Sequence, residues 1–321
     1  MGALLVVVVF LSLAFGARSV SFDAVIAALF SPDADNNDHV VIRDLRVPRT
    51  IIGLVAGAAL GVAGGIMQGL TRNPLADPGL LGVNAGASLF VVIGITWFGI
   101  SAATGYIWFA FAGAAVATIL VYAIGAGRSG NPTPVTLTLA GTAATAVLTS
   151  LITLILLGNL DTLNQYRFWS VGSLVGRDLE VVASIGPFLI VGALLALVVG
   201  RMLNVLALGD DVARGLGQNV AIARVLSAVA IVILCGSATA IAGPIVFVGL
   251  VIPHIARRFA GSDYRWILAY SALLGPILLV LADILGRLVV RPAELEAGVV
   301  VAFLGAPVMI ALVRRAKVGV L

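Results

Sequence analysis

Apolar residues run along this chain in ten stretches, each bounded by glycine, proline or charge. They fall near residues 2–20, 47–70, 80–98, 106–124, 136–157, 183–200, 222–240, 244–257, 266–288 and 298–313. Since about 20 apolar residues cross a bilayer core, the pattern predicts an all-α polytopic protein with about ten transmembrane helices. The eighth stretch is short and contains Pro244 and Pro253, which predicts a broken or re-entrant segment whose freed backbone groups are covered by protein. No long polar region remains for a soluble domain, so one transmembrane domain over 1–321 is expected.

Composition removes the soluble alternative. Of 321 residues, 61% are hydrophobic and 11% charged, against about 25% charged in a soluble domain. The net charge of +4 comes from basic residues scattered between apolar runs, which argues against nucleic acid as a partner and for topology signals facing a lipid bilayer. With a cytoplasmic N-terminus, the inner segments hold Arg72, Arg128, Arg201, Arg214, Arg224, Arg257, Arg258, Arg265 and the tail Arg314, Arg315 and Lys317. The outer segments hold Arg18, Arg43, Arg46, Arg49, Arg167, Arg177, Arg287 and Arg291. That bias is modest and favours both termini inside. Met1–Ala17 has the length of a signal-peptide core but no basic leader, and is read as a first span.

Several absences narrow the chemistry. The lone lysine, Lys317, lies in the tail, so no phosphate-binding P-loop exists. His39 and His254 do not form H-E-x-x-H, and no G-x-S-x-G occurs. Cys235 stands alone in an apolar run, which leaves no disulfide and no cysteine metal site. No catalytic residue, metal or cofactor is expected.

Four patterns remain. Gly53, Gly57, Gly61, Gly65 and Gly69 form a ladder at spacing four, a groove for a neighbouring backbone. Thr138, Thr142, Thr145, Thr149 and Thr153 share one helical face, which either lines a polar pathway or back-bonds to its own helix. LALGDDVARGLG (206–217) reads as an ordered surface loop with short helices. Asp283 and Arg287, four apart, are placed to pair on one helix face, while Arg46 and Arg49 flank Pro48 as anchors or a docking patch.

These segments resemble the FecCD family of ABC permeases, which includes vitamin B12, haem and siderophore importers. The resemblance rests on RVPRTIIGLVAGAALGVAGGIMQG (46–69), RNPLADPGLLGVNAGA (72–87), LALGDDVARGLG (206–217), GPIVFVGLVIPHIAR (243–257), ADILGR (282–287) and FLGAP (303–307). It implies a B12-importer-like fold in the inner membrane, a second permease copy or paralogue, an ABC ATPase dimer beneath, and an extracytoplasmic substrate-binding protein above. Within it, the loop about 201–222 couples to the ATPase through Gly209, Asp210, Asp211, Arg214 and Gly217. Arg46, Arg49 and Arg287 are the matching positions for binding-protein docking. Thr138, Thr142, Thr145 and Thr149 line the translocation pathway, and Thr133 and Pro134, after Asn131 and Pro132, match the cytoplasmic gate. An iron-siderophore cargo leads, with B12 or haem as alternatives. An ion-coupled secondary transporter would need ionisable residues deep in its spans, and an intramembrane enzyme a convergent acid, base or metal set.

Overall fold

The structure, a computed structural model, describes residues 1–16, 20–33, 35–100, 103–127, 133–176, 179–291 and 293–316. Asn131 and Pro132 of the expected gate, and the topology residues Arg18, Arg128, Arg177 and Lys317, lie outside the described residues.

Among those residues all regular structure is helical. Helix α1 (Gly2–Ala14) is followed by α2 (Phe22–Phe30) and by α3 (Asn37–Val40), which runs through a π-helical stretch (Val41–Arg46) into α4 (Val47–Thr71). A 3₁₀ turn (Pro78–Leu81) leads to α5 (Val83–Phe98), α6 (Ala103–Ala126), α7 (Pro134–Gly158) and α8 (Leu160–Ser170). Then come α9 (Leu179–Leu206), α10 (Asp210–Gly215), α11 (Val220–Ala242), α12 (Val248–Ala260), α13 (Tyr264–Val289) and α14 (Ala297–Ala316). Each predicted apolar stretch overlaps a helix, although α1 ends at Ala14 and the eighth stretch is helical only from Val248. Six segments are long and apolar enough to cross a membrane: Asn37–Thr71, Gly105–Ala126, Val135–Gly158, Leu179–Leu206, Val220–Ala242 and Tyr264–Val289. The apolar helices α1 and α5 and the stretch Ala297–Ala311 are shorter.

Burial sorts these helices into centre and rim. The apolar window of Asn37–Thr71 is 78% buried, against 22% for Val135–Gly158 and for Leu179–Leu206. Thus α4 is the axis, and α7 and α9 are peripheral. The glycine ladder explains how α4 is surrounded so closely. A Cβ on Gly57 would lie 2.6 Å from the Gly275 carbonyl oxygen of α13, and one on Gly61 2.7 Å from that of Ser271. Gly64, off the ladder, meets Gly249 of α12 in the same way. Without an aqueous hydrophobic drive between helices, such backbone approach supplies the packing energy.

The eighth stretch is broken, as its prolines predict. Residues 243–247 are not helical, and α12 begins inside the protein at Val248, with Val248–Pro253 buried. Phe247 takes a left-handed conformation (φ 68°) at this break and packs against Gly305 of α14, where any Cβ would collide with it. Proline at 253 cannot donate to the carbonyl of Gly249, four residues earlier. Gln68 of α4 donates its amide to that carbonyl (3.3 Å) and to that of Leu250 (3.1 Å), and its own oxygen accepts from Arg257 at 2.5 Å. The orphaned backbone group is thereby satisfied without water.

Three features have no counterpart in the sequence reading. Helix α2 is capped by Ser21, whose hydroxyl accepts from the Ala24 N–H (3.3 Å), and leaves Phe22, Ile26 and Phe30 exposed. Helix α8 is capped by Asn159, which accepts from the Thr162 N–H (3.0 Å). The π-helical entry to α4 places Ile42 and Arg46 inward and Arg43, Asp44 and Leu45 outward.

Candidate functional site

At one end of the bundle, three cations converge on the C-terminus of α1. Pairing of Arg287 with Asp283 is observed on α13, as their spacing allows. Both side chains are 2% exposed. Arg49 reaches the same carboxylate from α4: its Nε donates to both oxygens at 3.0 Å and Nη2 donates at 2.7 Å. Its remaining amine donates to Glu294 at 2.6 Å. Arg287 also donates to the Ser12 and Phe15 carbonyls (2.9 and 3.2 Å), Arg46 to those of Leu13 and Ala14 (2.6 and 2.8 Å), and Arg291 to that of Gly16 (2.9 Å). A helix C-terminus carries unpaired carbonyls and partial negative charge, so cations are favourable there. The Ser12 hydroxyl lies 2.7 Å from that of Thr50, closing the joint between α1 and α4.

The three arginines at the positions matched to binding-protein docking turn inward. Arg46, Arg49 and Arg287 are all buried and bonded within the chain. Two elements that sequence reasoning did not connect, the carbonyl end of α1 and Glu294, supply the partners. At the same rim Arg43 is exposed.

At the opposite end, Asp210 opens α10 and ties it to the two most buried long helices. It accepts from Arg72, the left-handed residue that ends α4, and from Arg224 in the first turns of α11 (2.6 Å). Gly209, at φ 108°, gives the backbone turn that starts α10, and Gly217, at φ 81°, ends the loop. Asp211 pairs with Arg214 at 2.9 Å on the outer side. Leu208, Val212 and Leu216, spaced four apart, are all at least half exposed. An ionic bolt faces the bundle and an apolar stripe faces away.

Helix α7 presents its threonines along one edge of an open face. Thr142 and Thr149 are exposed and Thr138 and Thr145 half-buried. The Thr142 hydroxyl donates to the Thr138 carbonyl (2.9 Å), and that of Thr153 to the Thr149 carbonyl (3.0 Å). Back-bonding and an accessible face therefore coexist. Thr133 caps the helix reciprocally: its hydroxyl accepts from the Thr136 N–H (3.2 Å), while the Thr136 hydroxyl accepts from the Thr133 N–H (2.9 Å). Pro134 follows as the first helical residue, where a missing N–H costs nothing. Among the described residues no cluster of histidine, cysteine or carboxylate could hold a metal ion.

Known proteins resemble this chain along nearly its whole length. The model of the FecCD transport family matches residues 4–315. The ferric enterobactin transport system permease protein FepD of Escherichia coli K12 is 50% identical over 98% of this chain and 94% of its own. The probable siderophore transport system permease protein YfiZ of Bacillus subtilis 168 is 43% identical over 95% and 91%. A solved structure described as a metal-chelate type ABC transporter in an inward-facing conformation superposes with a TM-score of 0.85 at 27% identity, covering 98% of this chain and 97% of that one.

Proposed function

Since this chain belongs to the FecCD transport family, we propose that it works as the membrane-spanning permease of an ABC importer that carries an iron-siderophore complex across the inner membrane. The cargo reading is carried by one observation, the 50% identity to a ferric enterobactin permease along nearly the whole chain. Vitamin B12 or haem is the alternative cargo. The iron complex is substrate, and the chain contributes no catalytic residue.

In this reading the single domain crosses the membrane about ten times, with both termini cytoplasmic. The shorter helices α1, α5 and α14 and the broken α12 complete the crossings beside the six long segments. The Asp210 end faces the cytoplasm. There an ATPase dimer grips the loop about 201–222, with Leu208, Val212 and Leu216 entering its groove and Gly209, Asp210, Asp211, Arg214 and Gly217 shaping the loop. Closure of the ATPase on ATP pulls α10, and the Asp210 bridges to Arg72 and Arg224 pass that pull into α4 and α11.

The threonines of α7 line the pathway between this chain and a second permease, with Thr133 and Pro134 at its cytoplasmic gate. A binding protein docks on the arginine end. Arg46, Arg49 and Arg287 serve that docking by holding the rim rigid, and exposed Arg43 meets the partner's carboxylates. An ion-coupled carrier is disfavoured because Asp283, the acid deepest in an arginine cluster, is neutralised by two guanidinium groups.

The test is purification of the tagged chain from native membranes with its partners, identification of those partners by mass spectrometry, and reconstitution. ATP-driven uptake of a ferric siderophore, with no uptake of B12 or haem, is expected. A chain that emerges alone and moves solute on an ion gradient overturns the proposal.

A further inference from the structure

Two cavities are lined by successive residues at the start of α11. One, of about 430 Å³, is polar and lies at the bundle end, lined by Arg214, Gln218, Asn219, Ala221 and Arg224. The other, of about 340 Å³, is apolar and runs up between α6 and α11, past Ile119, Tyr122, Ala123, Val225, Ala228 and Val232. Ala221, Val225, Ala228 and Val232 follow one another at helical spacing, so a single stripe of α11 forms the wall of both. Arg224 and Val225, consecutive residues, mark the boundary.

We infer that the two cavities together seat one anionic phospholipid of the cytoplasmic leaflet, its headgroup against Arg214 and Arg224 and one acyl chain in the α6–α11 groove; the leaflet rests on the orientation proposed above. Alanines at 123 and 228 hollow the groove between bulkier neighbours, leaving an apolar slot. In a bilayer such a slot is filled by methylene groups, because an empty one forfeits dispersion contacts. The charge at its mouth is complementary to phosphate. Arg72, Arg214 and Arg224 share two carboxylates, Asp210 and Asp211, which leaves one positive charge over. The lipid would thus bridge the coupling element and the bundle from outside, where the Asp210 bridges join them from within.

The test uses the complete transporter with its partners, extracted in mild detergent, and counts co-purifying lipids by native mass spectrometry. Delipidated complex is then titrated with phosphatidylglycerol, phosphatidylcholine and free glycerol phosphate. Phosphatidylglycerol is expected to rebind in preference to phosphatidylcholine, and glycerol phosphate not to compete. Ala228→Leu and Ala123→Leu, which fill the slot, should abolish that preference. Arg224→Gln should weaken phosphatidylglycerol about fivefold, the effect of one basic side chain near an anionic surface. Equal rebinding of the two phospholipids, or unchanged rebinding in both leucine variants, overturns the inference. So does disulfide cross-linking of two copies through Val229→Cys, which would put a second permease in the groove. Labelling of Gly217→Cys from the outer side would instead overturn the orientation while leaving lipid rebinding as measured.

Discussion

Arg49 and Asp283, 234 residues apart in the chain, are joined through both carboxylate oxygens at 2.7–3.0 Å, with Arg287 on the same carboxylate from its own helix. The carboxylate is the hub on which α4 and α13 are fixed at the arginine end, and its removal strands two buried cations. Asp283→Ala is expected to cost about 3–5 kcal/mol of stability, as for other buried pairs broken on one side. Thermal unfolding in detergent measures it. Arg49→Ala, which leaves Asp283 paired with Arg287, should cost less. Charge reversal of Arg46, Arg49 and Arg287 should lower the folded yield before any effect on binding-protein docking is seen, whereas Arg43→Glu should weaken docking in a normally folded protein.

The close approach of α4 to α13 predicts a steep size dependence. Gly57→Ala must push aside the Gly275 carbonyl, a backbone group without a rotamer to change, and a loss of about 1–3 kcal/mol is expected. Gly53→Ala meets Val280 and Leu174 side chains at 3.0 and 3.1 Å, which can shift, and should cost less. Detergent stability of the two variants, side by side, checks the order.

Asp210 carries both bridges from α10 to the bundle, so, if α10 transmits the ATPase motion as proposed, Asp210→Ala should let ATP hydrolysis run without uptake. The exposed bridge to Arg72 should contribute about 1 kcal/mol or less, and the partly buried one to Arg224 more. Measured hydrolysis and uptake in proteoliposomes separate the two effects. Coupled transport at the normal ratio would remove Asp210 from the transmission.

Asp263 gives a pH prediction. Hydrogen bonds from Arg265 and Asn204 hold its carboxyl well below the usual range as it caps α13 through the Arg265 N–H (2.9 Å). A depressed native value means that the contribution is present above the unfolded value near ~4 and is lost as pH falls below it. The wild-type thermal midpoint should therefore drop relative to Asp263→Asn only in acid, with no difference in slope between pH 7 and 5.

Most helices were legible because a bilayer-crossing stretch advertises itself by length and apolarity, and the α12 break because proline removes a donor. The Gly57–Gly275 contact was half legible: the ladder showed a groove on α4 without saying which helix fills it. What escaped has a common cause. Short helices such as α2 and α8 carry too few residues for a periodic signal. Burial of Arg49 and Arg287 depends on partners hundreds of residues away, and that of Arg46 on carbonyls 32 and 33 residues back, so local reading placed them at a surface. Gln68 gave no cue either, since its task is set by a proline on another helix.

The carbonyl end of α1 bears on how the chain is assembled. Ser12 and Arg287 are 275 residues apart, so α1 cannot reach its final seat until the ninth apolar stretch has been made. Until then Arg46 can cover the Leu13 and Ala14 carbonyls, but those of Ser12, Phe15 and Gly16 must be satisfied by water or headgroups, which keeps that end at the bilayer surface. Docking of α1 is thus a late, ring-closing event of biogenesis, and nascent chains stopped before Arg287 should be marked by an N-terminal helix that remains open to protease.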